Sequence, residues 1–216
     1  MELFLVQKVD FPPLAAGRTA GPAAHFPELK TELIRKSIHF LIAFCPLLAT
    51  ANRTFTVLFL AAGTLGYAVM ERLRLSGVKV PLVSSLTAAA SRSRDVGRFV
   101  MGPVTLGLGA LFALLLFPSP AAAIAIYALA FGDGIASLAG KFCGKTRPAF
   151  LHGKSVEGSL ACFGAVFVVS YNVSRNFNAA LIAALTAAAM EALPLEDWDN
   201  VVIPVAVGLT VHLALF

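Results

Sequence analysis

Residues 120–148 read PAAAIAIYALAFGDGIASLAGKFCGKTRP, and the first twenty-one of them settle what kind of protein this is. A predominantly apolar run of that length matches the roughly 17–25 residues a helix needs to cross the bilayer hydrocarbon. One carboxylate, Asp133, interrupts it between two glycines, and the run then turns abruptly basic from Lys141 to Arg147. An ionisable group at membrane depth is costly and marks a functional site by default. On a helix Asp133, Ser137, Gly140 and Gly144 recur at spacings of four, three and four, so they share one face. A small-residue packing seam explains the glycines of that face and does not explain the acid.

The rest of the chain agrees with that start. Of 216 residues, 58% are hydrophobic and 13% charged, with mean hydropathy +0.81. Soluble domains carry charge on about a quarter of their residues, so the composition is that of an integral, multi-pass membrane protein. Seven apolar stretches, about 34–50, 54–70, 99–117, 120–140, 158–173, 178–192 and 200–216, predict an all-α, polytopic bundle of about seven spans in the lipid bilayer. With the N-terminus cytoplasmic, the cytoplasmic side gathers every Lys and Arg except Arg53 and Arg175, in accord with the positive-inside rule. The expected organisation is an N-terminal cytoplasmic segment, 1–33, and a membrane domain, 34–216. Its cytoplasmic loops lie at about 71–98, 141–157 and 193–199, and Asp133 lies about two turns inside the mouth of the fourth span. The basic loop 71–98 reads first as an interfacial amphipathic segment on anionic lipid. No signal-peptide pattern precedes the first span. Cys45, Cys143 and Cys162 form no CxxC pair and read as small buried hydrophobes.

Four polar strings converge on the cytoplasmic side. In ELIRKSIHF, Glu32, Arg35, Lys36 and His39 fall at i, i+3, i+4 and i+7, one polar face entering a span. The second is the Asp133 face. The third, HGKSVEGS at 152–159, lacks the upstream glycine and strand of a nucleotide-binding P-loop. It reads instead as a helix start, with Ser155 as N-cap, Glu157 in the first turn and Lys154 beside a helix N-terminus suited to phosphate. The fourth, EALPLEDWDN at 191–200, is acidic; Glu196 and Asp197 read as a solvated loop, Asp199 and Asn200 as the mouth of the last helix. Cations for phosphates, carboxylates for Mg²⁺ and a base for an accepting hydroxyl together suit phosphoryl transfer. No aromatic-rich basic groove for nucleic acid is present.

The order ELIRKSIHF, Glu71–Arg72, Gly102–Pro103, GDGIASLAGKFCGK, GKSVEGS and E…LPLEDWDN resembles the CTP-dependent lipid kinases, the family of dolichol kinase, phytol and farnesol kinases and the CTP-using diacylglycerol kinase. The resemblance runs from about residue 32 to 203. It implies a polytopic enzyme that moves the γ-phosphoryl group of CTP to the hydroxyl of a membrane lipid alcohol at the cytoplasmic face, with Mg²⁺. Carried onto this sequence, Asp133, Arg35, Lys36 and Lys154 become the catalytic candidates. His39, Ser137, Gly140, Lys141, Gly144, Ser155, Glu157 and Asn200 become nucleotide-site candidates, with Glu71 in support. Asp133, Glu157 and Asp199 become metal-ligand candidates. Two other readings stand beside it: a CDP-lipid synthase of the phosphatidate cytidylyltransferase kind, and a transporter of a phosphorylated lipid. A transporter predicts polar groups through the bilayer and internal repeats, and the sequence has neither. Lipid chain length and oligomeric state are not encoded in any motif.

Overall fold

Long apolar runs rich in Ala, Leu and Phe leave the backbone one way to satisfy its own polar groups in lipid, the α-helix. In a computed structural model, which describes residues 25–78, 80, 81, 84, 85, 87, 95 and 97–215, the chain is helical and no strand occurs among the described residues. Helix α1 runs His25–Phe40, followed by a 3₁₀ turn, Leu41–Phe44, and α2, Cys45–Leu75. Then come α3, Gly102–Leu116, and α4, Ala121–Tyr127. A π-helical segment, Ala128–Asp133, joins α4 to α5, Gly134–Phe142. Helices α6, Val156–Ser174, α7, Phe177–Glu191, and α8, Asp199–Leu215, complete the chain. Four stretches are long and apolar enough to cross a membrane: Thr31–Leu75, Ala121–Phe142, Val156–Ser174 and Glu196–Leu215. They mark a membrane protein. Gly102–Leu116 and Phe177–Glu191 are shorter apolar helices.

The 45-residue stretch Thr31–Leu75 is not one rod. Asn52 leaves helical geometry, with φ −157° and ψ 104°, and its side-chain carbonyl accepts the Phe55 amide at 2.9 Å. Asn52 therefore ends one helical arm and caps the next, which is what an Asn at an N-cap does. The second arm packs antiparallel on α3. At one end the Arg53 guanidinium donates to the carbonyls of Leu114 and Phe117, and at the other Glu71 accepts the Val100 amide at 3.0 Å. Helix α2 continues a turn past the expected boundary, so Arg72 and Arg74 belong to its end. Much of the expected interfacial segment, with Lys79, Arg92 and Arg94, lies outside the described residues, as do residues 1–24 of the N-terminal segment.

The core between α3, α4, α6, α7 and α8 is built from small residues at close approach. Ala110, Ala113, Ala125, Ala183, Ala184 and Ala187 are fully buried beside Ile124, Leu129, Val166 and Ile203. Pro204 lies inside α8 and has no amide to give the carbonyl of Asn200 one turn earlier. Gly109 of α3 packs against that carbonyl, where a Cβ would collide. The pairing fixes the height of Asn200 relative to α3. Cys45 and Cys162 are buried as expected; Cys143 is exposed, because the α5 helix ends there and the chain leaves the bundle.

The loop from α5 to α6 is held at both ends. Ser155 caps α6 by accepting the Gly158 amide at 3.1 Å, and Glu157 accepts the Thr146 amide at 3.0 Å. Arg147 donates to the carbonyls of Gly140 and Gly153. Gly144 sits where a Cβ would strike the Gly140 carbonyl and the Ser155 side chain. Gly144→Ala is expected to destabilise the protein by about 1–3 kcal/mol through overpacking, read as an earlier unfolding midpoint in detergent. An unchanged midpoint would mean the loop gives way freely.

Candidate active site

The polar strings meet at one end of the bundle around a cavity of about 460 Å³. Its walls come from α1 (Arg35, Lys36, His39), α5 with the π segment (Asp133, Ser137, Gly140, Lys141), the α5–α6 loop (Arg147, Lys154, Ser155) and the α7–α8 corner (Glu191, Asp199, Asn200). The face expected for α1 forms: Glu32, Lys36 and His39 are all buried and point toward α5.

Glu32 is the clasp between those two helices. Its carboxylate takes Arg35 at 2.7 Å, Ser137 at 2.7 Å and Lys141 at 2.9 Å. One turn deeper, the Lys36 ammonium, 2% exposed, bonds Oδ2 of Asp133. His39 Nε2 lies 2.9 Å from the Leu129 carbonyl and 3.4 Å from the same Oδ2. A carbonyl only accepts, so the Nε2 of His39 carries the proton and the ring acts as a donor. Leu129 sits in the π segment, a single turn of a kind found mostly at functional sites. Lys36 therefore bonds one oxygen of Asp133, with the His39 ring close to the same oxygen, and Oδ1 lies outside both contacts on a residue that lines the cavity.

His39, a nucleotide-site candidate by its motif, lines the cavity and makes its contacts to the π segment and Asp133. His39→Leu removes that donor, and a buried acceptor left without one costs about 1–3 kcal/mol. His39→Gln, which keeps an N–H of similar reach, is expected to recover most of both stability and turnover. If Gln behaves as badly as Leu, the ring has a role other than donating this bond.

On the opposite wall Lys154 reaches the end of α7, donating to the Glu191 carbonyl and lying 3.5 Å from its carboxylate. Ser159 donates to the other Glu191 oxygen at 2.9 Å. Glu191 was no site candidate by sequence. Its signal was an acid at a helix C-terminus, where the dipole disfavours it, which calls for a cationic partner. Glu196 and Asp197, expected as a solvated loop, line the cavity as well. A 3₁₀ turn, Glu196–Trp198, carries them back toward the mouth. Asn200 donates its amide to Thr105 Oγ1 at 3.0 Å, tying α8 to α3 while lining the cavity.

Glu157 and Gly144 lie off the cavity lining; Glu157 is spent on the α5–α6 loop. Among the described residues no group of three His, Cys, Asp or Glu side chains converges as a ready metal cage. Asp133 and Asp199 do share the cavity wall. Glu71 is apart from it, fully buried and held by Arg74 through two bonds of 2.8 and 2.7 Å.

Three plant proteins align with this chain. A probable phytol kinase 2 of Oryza sativa subsp. japonica, chloroplastic, is 29% identical over 195 residues, 80% of this chain and 63% of the rice protein. Phytol kinase 1 of Arabidopsis thaliana, chloroplastic, is 26% identical over 161 residues, 66% of this chain and 53% of that protein. The chain is similar to phytol kinases. A probable phytol kinase of Zea mays, 25% identical over 160 residues, agrees. The resemblance carried by the motifs is therefore met by relatives of the same lipid-kinase kind. The chain spans between about half and two-thirds of the length of these phytol kinases. No family profile and no solved structure matches it.

Proposed function

We propose that this protein is a kinase that transfers the γ-phosphoryl group of CTP to the hydroxyl of a membrane lipid alcohol of the phytol or prenol class. The observation that carries the reading is the buried Lys36–Asp133 pair at the wall of a cavity shared with Lys154, Lys141 and Arg147. A structural ion pair has no need of a cavity or of further cations around it.

The chain's residues divide the work as follows. Lys141, Arg147 and Lys154 hold phosphate oxygens and offset the charge that gathers on them in the transition state. Lys36 fixes Asp133 through Oδ2, with His39 packed beside the same oxygen, which leaves Oδ1 to orient the acceptor hydroxyl and take its proton. As that proton leaves, the hydroxyl oxygen bonds the γ-phosphorus, the bond to the β–γ bridging oxygen breaks, and CDP departs. The transition state of phosphoryl transfer is loose, so a positioned carboxylate is adequate to take the proton. Mg²⁺ favours one or two carboxylates with substrate phosphates completing its shell, and Asp199, with Asp133 nearby, fits that demand. When bound, the ion would neutralise charge on the phosphates.

The membrane arrangement we propose has seven crossings with the N-terminus and the site on the cytoplasmic side. Forty-five helical residues would extend about 68 Å, twice the roughly 30 Å hydrocarbon layer, so the break at Asn52 makes two crossings of Thr31–Leu75. Alternation then sets the site at the end rich in Lys and Arg.

The reading is tested by offering phytol, with Mg²⁺, each of CTP, UTP, GTP and ATP. Lipid phosphate formed from CTP at least about tenfold faster than from ATP supports it; no transfer from any nucleotide removes it.

A further inference from the structure

The cavity has a second chemical character that phosphates do not use. Three or four residues inward from its polar mouth, each of three helices presents an apolar group. Ile38 follows Arg35 on α1, Leu106 follows Gly102 on α3, Ala136 precedes Gly140 on α5, and Tyr67 lines the same wall from α2. At 1.5 Å per residue that step is about 4.5–6 Å, so these apolar groups line the wall beside the Lys36–Asp133 pair, within a turn of it. The Tyr67 hydroxyl is occupied by the Val100 carbonyl at 3.3 Å, which leaves its ring as an apolar surface. The two arms of the first hairpin lean on different neighbours, α1 on α5 and the π segment, α2 on α3. Their outward faces carry exposed Leu41, Phe44, Leu65 and Val69.

We infer that Ile38, Tyr67, Leu106 and Ala136 form the subsite for the hydrocarbon of the acceptor alcohol, whose tail leaves the cavity sideways into the bilayer between α1 and α2. The inference takes its occupant from the kinase reading above. An amphiphile seated this way has its hydroxyl at Asp133, at the boundary between the two wall types, and its chain on the apolar side. The nucleotide then has the cationic mouth to itself. A cavity of about 460 Å³ is the size of one small-molecule site, and a twenty-carbon tail cannot share it with a nucleoside triphosphate. A lateral exit resolves that conflict.

Two measurements test the subsite. The wild-type protein in liposomes is photolabelled with a phytol analogue bearing a diazirine on its chain. The label is expected on α1, α2 and α3 around Ile38, Tyr67 and Leu106, and excess phytol should compete it away. Label elsewhere, or label displaced by CTP and not by phytol, would overturn the subsite; the second outcome would give the apolar wall to the cytosine ring. Then Ile38→Trp is compared on phytol and on a five-carbon prenol. The ratio of kcat/KM for the long to the short acceptor should fall tenfold or more, and an equal loss on both would overturn the subsite. Labelling needs no turnover. Label at these helices with no phosphoryl transfer therefore removes the kinase reading alone, and transfer with label elsewhere removes the subsite alone.

Discussion

Asp133→Asn is expected to lower turnover at least about a hundredfold while the protein still folds, because a positioned acid–base group is worth about 10²–10⁴ in rate. The Asn side chain keeps the shape of Asp and can still accept from Lys36 and His39 at its oxygen. Its amide nitrogen takes the place of Oδ1 or Oδ2, and neither arrangement restores an ionised oxygen facing the cavity. Packing is hardly altered, since Gly132, Gly134 and the Cys162–Val166 face of α6 stay as they are. The measurement is lipid phosphate formed per minute by purified variant and wild type, each checked for a single detergent-solubilised species. Activity above about a tenth of wild type would remove Asp133 from the chemistry.

Lys36→Met should strike the other property of the same pair, its place in the interior. Removing one partner of a buried ion pair leaves the other charge uncompensated and costs about 3–5 kcal/mol. Lys36 and Asp133 are both buried, and His39 alone, at 3.4 Å, is a poor substitute for an ammonium. The single variant is expected to unfold much earlier in detergent than the wild type. The double variant Lys36→Met, Asp133→Leu, which leaves neither charge, should regain most of that loss in stability and none of the activity. A single variant as stable as wild type would mean that water or another cation already serves Asp133.

The periodicity of the sequence carries most of this architecture because lipid gives a chain so few choices. The apolar stretches 99–117, 120–140, 158–173, 178–192 and 200–216 coincide with helical segments to within about three residues at each end, and the Ser155 cap forms as its position implies. The polar face Glu32–Arg35–Lys36–His39 was legible for the same reason: helical spacing alone places its members together. The partners of that face were less so. That Lys36 meets Asp133, and Glu32 meets Ser137 and Lys141, depends on α1 and α5 lying antiparallel at one height, which the sequence implies only through topology. The π turn at Ala128–Asp133 is invisible to any pattern of apolar residues, since one extra residue per turn changes no residue type. Glu191, at the end of its helix, was given no role because its partner Lys154 is thirty-seven residues away and meets it only in the fold. Glu157, which reads as a ligand beside GKS, also accepts the Thr146 amide, a loop contact that no motif announces.

The central claim is that this cavity passes the terminal phosphoryl group of a nucleotide to a lipid hydroxyl. The most direct measurement supplies purified protein in liposomes with phytol, Mg²⁺ and CTP labelled distinguishably at its α- and γ-phosphates, and follows where each label goes. The account predicts γ-label in a lipid monophosphate and α-label in CDP, in equal amounts. No γ-label in lipid, with α-label entering the lipid and γ-label leaving as pyrophosphate once phytyl phosphate replaces phytol as the acceptor, would contradict it and make the protein a CDP-lipid synthase.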